Sequence, residues 1–291
     1  MKILGSNFFK GGVVLPTYSR PHLLNKCLES VYRADNSKAI GKIIILQLGN
    51  KEVEKIVYKY ANKETFIIPV IRSGTKPLFN MNYNWWIGAS FGFEILGLEW
   101  VMSLEEESVV KNNIFNFTIE MHEKFRSTKK FKGVNLSTRL LDNSNVGTYS
   151  ILRYGFMGSG ATIIRNDWNK LKKLGVKRHL RNYPWDAFTE AFWKTGFRVT
   201  PNISMVMNYG WIDGTHSHKS DQDILNEKSF KIKDIPNNFQ LKNVENGWRN
   251  DSHIYDAKKN YVYNIRFILW ILLDNKLFKP IYKRLAHYFF N

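Results

Sequence analysis

Three consecutive glutamates, Glu105, Glu106 and Glu107, follow directly on the apolar run Trp100 to Leu104. Adjacent carboxylates at the end of a strand repel one another and favour a bound cation, and oxygen ligands beside phosphate suit Mg2+ or Mn2+. A solvated acidic loop is the alternative. Asp213, His216 and His218 form a second polar cluster, in which two histidines two residues apart face one side of an extended chain. No cysteine or further histidine spacing points to a zinc site there, and a plain surface loop is the other reading. Asp186 begins a predicted helix, where the dipole favours an acid, and Glu190 follows one turn on. Arg20, Arg72 and Lys76 are candidates for phosphate or base contacts or solvated surface charges; the last two flank Gly74 in a turn.

The elements that must position these groups are legible as alternating apolar runs and helical patterns. Val13 to Leu15 reads as a strand stopped by Pro16, and Leu23, Leu24, Cys27, Leu28 and Val31 recur at helical spacing. Lys42 to Leu46 is a buried strand, Glu52 to Tyr60 a helix, and Phe66 to Ile71 a strand whose Pro69 argues for an edge position. Asn80 to Phe93 is an aromatic-rich helix and Trp100 to Leu104 a fourth strand. This order implies an α/β fold with a mainly parallel sheet and helices on both faces, with ligands at the carboxyl ends of the strands.

Further on, Asn112 to Phe125 reads as a helix and Gly155 to Gly160 as a loop. Ala161 to Arg165 reads as a strand, with Asn166 capping the next helix. A helix starts near Pro184 and runs to about Thr195. Phe197 to Val199 and Ile203 to Asn208 are short strands, and 213–256 is a long polar loop region.

The segment Val13 to Val31, VVLPTYSRPHLLNKCLESV, resembles the opening of GT-A glycosyltransferases: strand, Pro-Thr-Tyr, a polar loop with Arg-Pro, then a Leu-rich helix. WVMSLEEESVV (Trp100 to Val110) resembles the acidic metal motif of that fold, in the Glu-Asp-Asp form of N-acetylglucosaminyltransferase I and its relatives. Ile43 to Asn50 is similar to that family's strand ending in Ser-Gln-Asp-Gly, with Leu48 standing where an aspartate is expected. Gly155 to Trp168 resembles its Pro-Gly-Leu-Gly stretch, and Tyr183 to His218 its Trp-Asp-Asp-Trp helix and Gly-Ser-His ending.

The resemblance implies a GT-A (nucleotide-diphospho-sugar transferase) fold and an inverting, metal-assisted transfer. The donor would be a nucleotide-diphosphate sugar, UDP-linked, with UDP-GlcNAc as a candidate, and the acceptor a saccharide or lipid-linked molecule such as a bacterial polysaccharide. Glu107 would be the metal ligand, joined by His216 and His218, with Mn2+ or Mg2+ bridging the donor phosphates. Pro16, Thr17, Tyr18, Arg20, Gln47, Arg72, Glu105 and Glu106 would line the nucleotide sugar. Asp186 would be the general base toward the acceptor hydroxyl, with Glu190 as runner-up; Ala187 replaces the family's second aspartate, which leaves the register open by one. A catalytically inactive GT-A domain, acting as a sugar-nucleotide-binding or scaffold module, is the alternative.

At 291 residues with 44% hydrophobic content the chain can bury a full core. The expected organisation is a glycosyltransferase domain over 1–256, its nucleotide-binding half 1–110 and its acceptor-binding half 111–256, followed by a basic amphipathic segment, 257–291. The net charge of +18 suits anionic partners, but no DNA- or RNA-binding signature accompanies it, so nucleic acid is not expected. The tail interleaves basic residues with Tyr261, Phe267, Trp270 and Phe278, which fits an anionic membrane surface or a terminal helix packed on the domain. No stretch reaches the ~20 apolar residues of a membrane span. A cytoplasmic protein, peripheral on the inner face of the membrane, is therefore expected. The single cysteine, Cys27, excludes an intramolecular disulfide and is expected to be buried.

Overall fold

A run rich in β-branched residues ending at a loop builds each of the first three strands, and a helix follows each, amphipathic after the first two and more uniformly apolar after the third. In the computed structural model the order is β1 (Gly11–Pro16), α1 (Pro21–Arg33), β2 (Ile40–Gln47), α2 (Lys51–Tyr60), β3 (Thr65–Val70), α3 (Pro77–Ser90) and β4 (Trp100–Ser103). The chain continues with β5 (Ser108–Val110), α4 (Ile114–Phe125), β6 (Phe131–Val134), β7 (Tyr149–Leu152), β8 (Ala161–Ile164), α5 (Arg165–Lys173), β9 (Phe197–Pro201) and β10 (Val206–Asn208). The structure describes residues 9–71, 77–137, 149–152, 159–173, 177, 196–201 and 204–208. Arg72, Lys76, Asp186, Glu190, Asp213, His216, His218 and the C-terminal segment lie outside the described residues.

The main sheet runs in the order β3-β2-β1-β4-β8. Its first four strands are parallel, and β8 closes the other edge antiparallel to β4. β3, with Pro69, lies at the edge, where a missing N–H costs no ladder bond. Beside this sheet, β5 pairs with β10, and β6, β9 and β7 form a three-stranded sheet.

Both faces of the main sheet are covered. Val13, Leu15, Ile44 and Met102 pack into one buried cluster with Leu24, Cys27 and Leu28 of α1 and Phe115 and Phe117 of α4. Val14 points the other way, against α3, where a Cβ on Gly88 would come within 2.4 Å of Val14 Cγ1. A glycine inside a helix costs about 1 kcal/mol relative to alanine; here its lack of a side chain lets α3 approach β1. The apolar pattern continues through a π-helical turn, Phe91–Ile95.

Several element bounds differ from expectation. β1 starts two residues earlier than Val13, because Gly11 and Gly12 pair with Ile40 and Gly41 of β2; at Gly11 the Trp100 indole fills the space a Cβ would need. Asn166 does not cap α5; it lies inside that helix, which follows directly on β8. Cys27 is fully buried, and burial pushes its thiol well up. His122 of α4 lies 3.0 Å from Thr162 Oγ1 and stacks on Trp100, and burial drives its pKa down to about 3, so the ring is neutral. Among the described residues, no helix is long and apolar enough to cross a membrane.

Candidate active site

Strand numbering rises to one side of β1 (β2, β3) and jumps to β4 on the other. β1 and β4 are parallel neighbours, with Gly12 to Val14 in register with Val101 to Ser103. Their C-terminal extensions therefore emerge side by side: Thr17 to Arg20 from β1, and Leu104 to Glu107 from β4. In open α/β sheets this switch point is where the crevice for a ligand opens.

The first extension is clamped to β2. Thr17 is 2% exposed; its hydroxyl donates to Ile45 C=O at 3.2 Å and accepts from Gln47 N–H at 3.1 Å. The backbone adds a bond from Thr17 N–H to Ile45 C=O. Gln47 and the half-exposed Leu48 thus stand beside the Pro16–Tyr18 segment at one edge. Thr17→Val keeps the shape and leaves the Gln47 amide without its acceptor. It should cost about 1–3 kcal/mol of stability, read from denaturant melts, with Thr17→Ser close to wild type. An unchanged midpoint for Thr17→Val would show that this bridge does not hold the strand ends.

The second extension makes a tight turn, closed by Ser108 N–H donating to Glu105 C=O at 2.9 Å. Its three carboxylates have different sets of partners, two of which share Arg20. Glu105 accepts from the Asn208 side-chain amide, which β10 brings opposite Ser108. Glu106 is 2% exposed and accepts from the Tyr18 and Ser19 amides and from Arg20 Nε at 2.9 Å. Glu107 accepts from Arg20 Nη2, also at 2.9 Å. Behind the turn, Ser159 Oγ meets Ser108 Oγ and lies 3.4 Å from the Glu105 amide.

One guanidinium is thus divided between two carboxylates. Burial works against the charge on Arg20, but Glu107 and Glu106 outweigh it and hold the group above its ordinary range. Burial pushes Glu107 upward; Arg20 opposes the rise and Glu106 adds a smaller like-charge contribution to it. One guanidinium thus faces two of the three carboxylates of the turn. Among the described residues no three His, Cys, Asp or Glu side chains converge on one point. Hard carboxylate oxygens in such a turn fit a Mg2+ or Mn2+ ion that completes its shell with phosphate and water.

The structure brings together Pro16, Thr17, Tyr18, Arg20, Gln47 and Glu105 to Glu107 at one sheet edge. Sequence reasoning missed Asn208 and Ser159, which reach the acidic turn only through the pairing of β10 with β5 and the approach of the segment before β8.

No protein-family model matches this chain, and no curated protein matches it. Among solved structures it is similar to S. aureus TarS 1–349, at 13% identity over 70% of this chain and 62% of that chain, with a TM-score of 0.49. A structure of S. aureus TarS matches at 13% identity over 67% of this chain and 35% of that one, with a TM-score of 0.46. TarS 1–349 in complex with UDP-GlcNAc matches at 16% identity over 57% and 48% of the two chains, with a TM-score of 0.42. The chain thus spans less than two thirds of the length of each of these TarS chains.

Proposed function

We propose that this chain is a glycosyltransferase of the GT-A type that takes its sugar from a nucleoside-diphosphate donor. The observation that carries this reading is the meeting of the Thr17–Arg20 loop with the Glu105–Glu107 turn at the β1/β4 switch point of a doubly covered sheet. The loop offers Arg20 and a strand-end platform of Gln47 and Leu48. The turn offers carboxylate oxygens, three side chains against one guanidinium. A diphosphate with a divalent ion supplies the complement to both.

In this reading Glu107 holds Mn2+ or Mg2+, and the ion's chemistry is to offset the negative charge that develops on the leaving diphosphate. Arg20 serves the same end from the protein side. A UDP-linked donor, UDP-GlcNAc among the candidates, and an inverting transfer to a saccharide or lipid-linked acceptor follow from the resemblance in the sequence. Asp186 is the proposed base and Glu190 its alternate, with His216 and His218 proposed as further metal ligands. One observation favours a second reading: Arg20 already pairs with Glu107. A domain that binds sugar nucleotides without turning them over would need no more cation than this.

A panel of nucleotide sugars tests the proposal by thermal stabilisation. UDP-sugars should raise Tm, and more so with Mn2+; a ligand at 100 times its Kd contributes about 2.7 kcal/mol. No shift with any nucleotide sugar, with or without Mn2+, would sink it.

A further inference from the structure

We propose that Glu106 is a positioning residue: an internal carboxylate that completes the donor loop in the place of a bound anion, and touches neither donor nor cation. This rests on the nucleotide-sugar reading for what the loop does, though not for how the loop is held. The amides at the start of a helix attract negative charge. α1 supplies none of its own: Pro21 opens it, its first turn has no acid, and Arg20 at the N-cap makes no side-chain cap. The two amides that precede its N-cap, Tyr18 and Ser19 N–H, lie outside the helix and both donate to a carboxylate more than 80 positions away, that of Glu106.

Glu106 is committed on both oxygens. Oε2 takes the Tyr18 amide, and Oε1 takes Arg20 Nε at 2.9 Å with the Ser19 amide at 3.4 Å. A buried carboxylate without such partners is costly, and with them it fixes three successive residues at once. Thr17, the next residue back, is fixed to β2. The loop is therefore pinned from two sides, by β2 through Thr17 and by the β4 extension through Glu106. A diphosphate arriving at this edge meets amides that are already occupied. Arg20 Nη1 is buried and has no hydrogen-bond partner among the described residues, so a diphosphate that engages this guanidinium must first open the edge around it.

The test is chemical rescue. In Glu106→Ala, the affinity for UDP with Mn2+ should fall by about 10–100-fold, the range for residues that orient a ligand shell. Hydrogen exchange should speed up at the Tyr18 and Ser19 amides while β1, β2 and β4 keep their protection. Formate, filling the vacated carboxylate position, should restore both properties saturably. If Glu106→Ala does not fold, Glu106→Gln, with one acceptor oxygen, should show the same two losses in milder form.

UDP affinity within about 2-fold of wild type would overturn the proposal. So would lost affinity with the Tyr18 and Ser19 amides still protected, which would make Glu106 a direct ligand. A wild-type protein that binds no UDP would defeat the functional reading instead, and the exchange and formate responses would still test how the loop is held.

Discussion

Glu107→Gln should abolish cation-dependent transfer and leave Tm unchanged or raised. A divalent ion that offsets leaving-group charge contributes several kcal/mol to the transition state, so the loss should be on the order of 10³-fold or more. The stability effect has the opposite sign. Burial raises the Glu107 pKa in the folded protein, with Arg20 opposing and Glu106 adding to the rise. A carboxyl raised in this way favours folding while both states are protonated, below the unfolded value near ~4.3. That contribution disappears as pH climbs through the folded pKa. The substituted amide carries no charge and still offers Arg20 an acceptor oxygen. The variant's relative gain should appear at neutral pH and vanish in acid, as read by melts across pH. A large fall in Tm at pH 7 would mean that the carboxylate serves the fold and not a cation. Full transfer in EDTA by the wild type would point to a metal-independent enzyme in which Arg20 takes the ion's part.

Asp186→Asn should lower turnover by at least ~10²-fold, because a positioned general base is typically worth 10²–10⁴. Asparagine keeps the shape and hydrogen bonding but cannot take the acceptor's proton as the sugar–phosphate bond breaks. Affinity for the nucleotide should change little, since the base addresses the acceptor. The product expected from an α-linked donor is β-linked. Turnover near the wild-type rate would move the role to Glu190, and a retained α linkage would remove the need for a base of this kind.

How legible the site was depends on the distance over which each part is determined. β1, α1, β2 and α2 read directly from their residues, since apolar spacing and the stop at Pro16 are local signals, although β2 runs from Ile40 to Gln47 where Lys42 to Leu46 was expected. Pro69 marked the edge strand correctly for the same reason. Strands β5, β6 and β7, at three or four residues each, carry too little periodicity to stand out, and they exist through partners far along the chain. The antiparallel entry of β8 beside β4 had no local mark either. In the site, the Thr17–Arg20 loop and the glutamate triplet could each be picked out by residue type. Their contact follows from the β1/β4 register, which no single segment encodes. Residue type does not separate three identical glutamates, and the sequence singled out Glu107 only through the resemblance. Their contacts tell them apart: Asn208 for Glu105, the loop amides with Arg20 Nε for Glu106, and Arg20 Nη2 for Glu107.

The most direct test of the central claim is release of nucleoside diphosphate from a panel of nucleotide sugars, followed by mass spectrometry with and without Mn2+. A glycosyltransferase supplied with no acceptor still passes its sugar slowly to water. We expect slow, cation-dependent release from a UDP-sugar by the wild-type protein and none by Glu107→Gln. Binding of the nucleotide sugar without any release would establish an inactive sugar-nucleotide-binding domain, and neither binding nor release across the panel would contradict the account altogether.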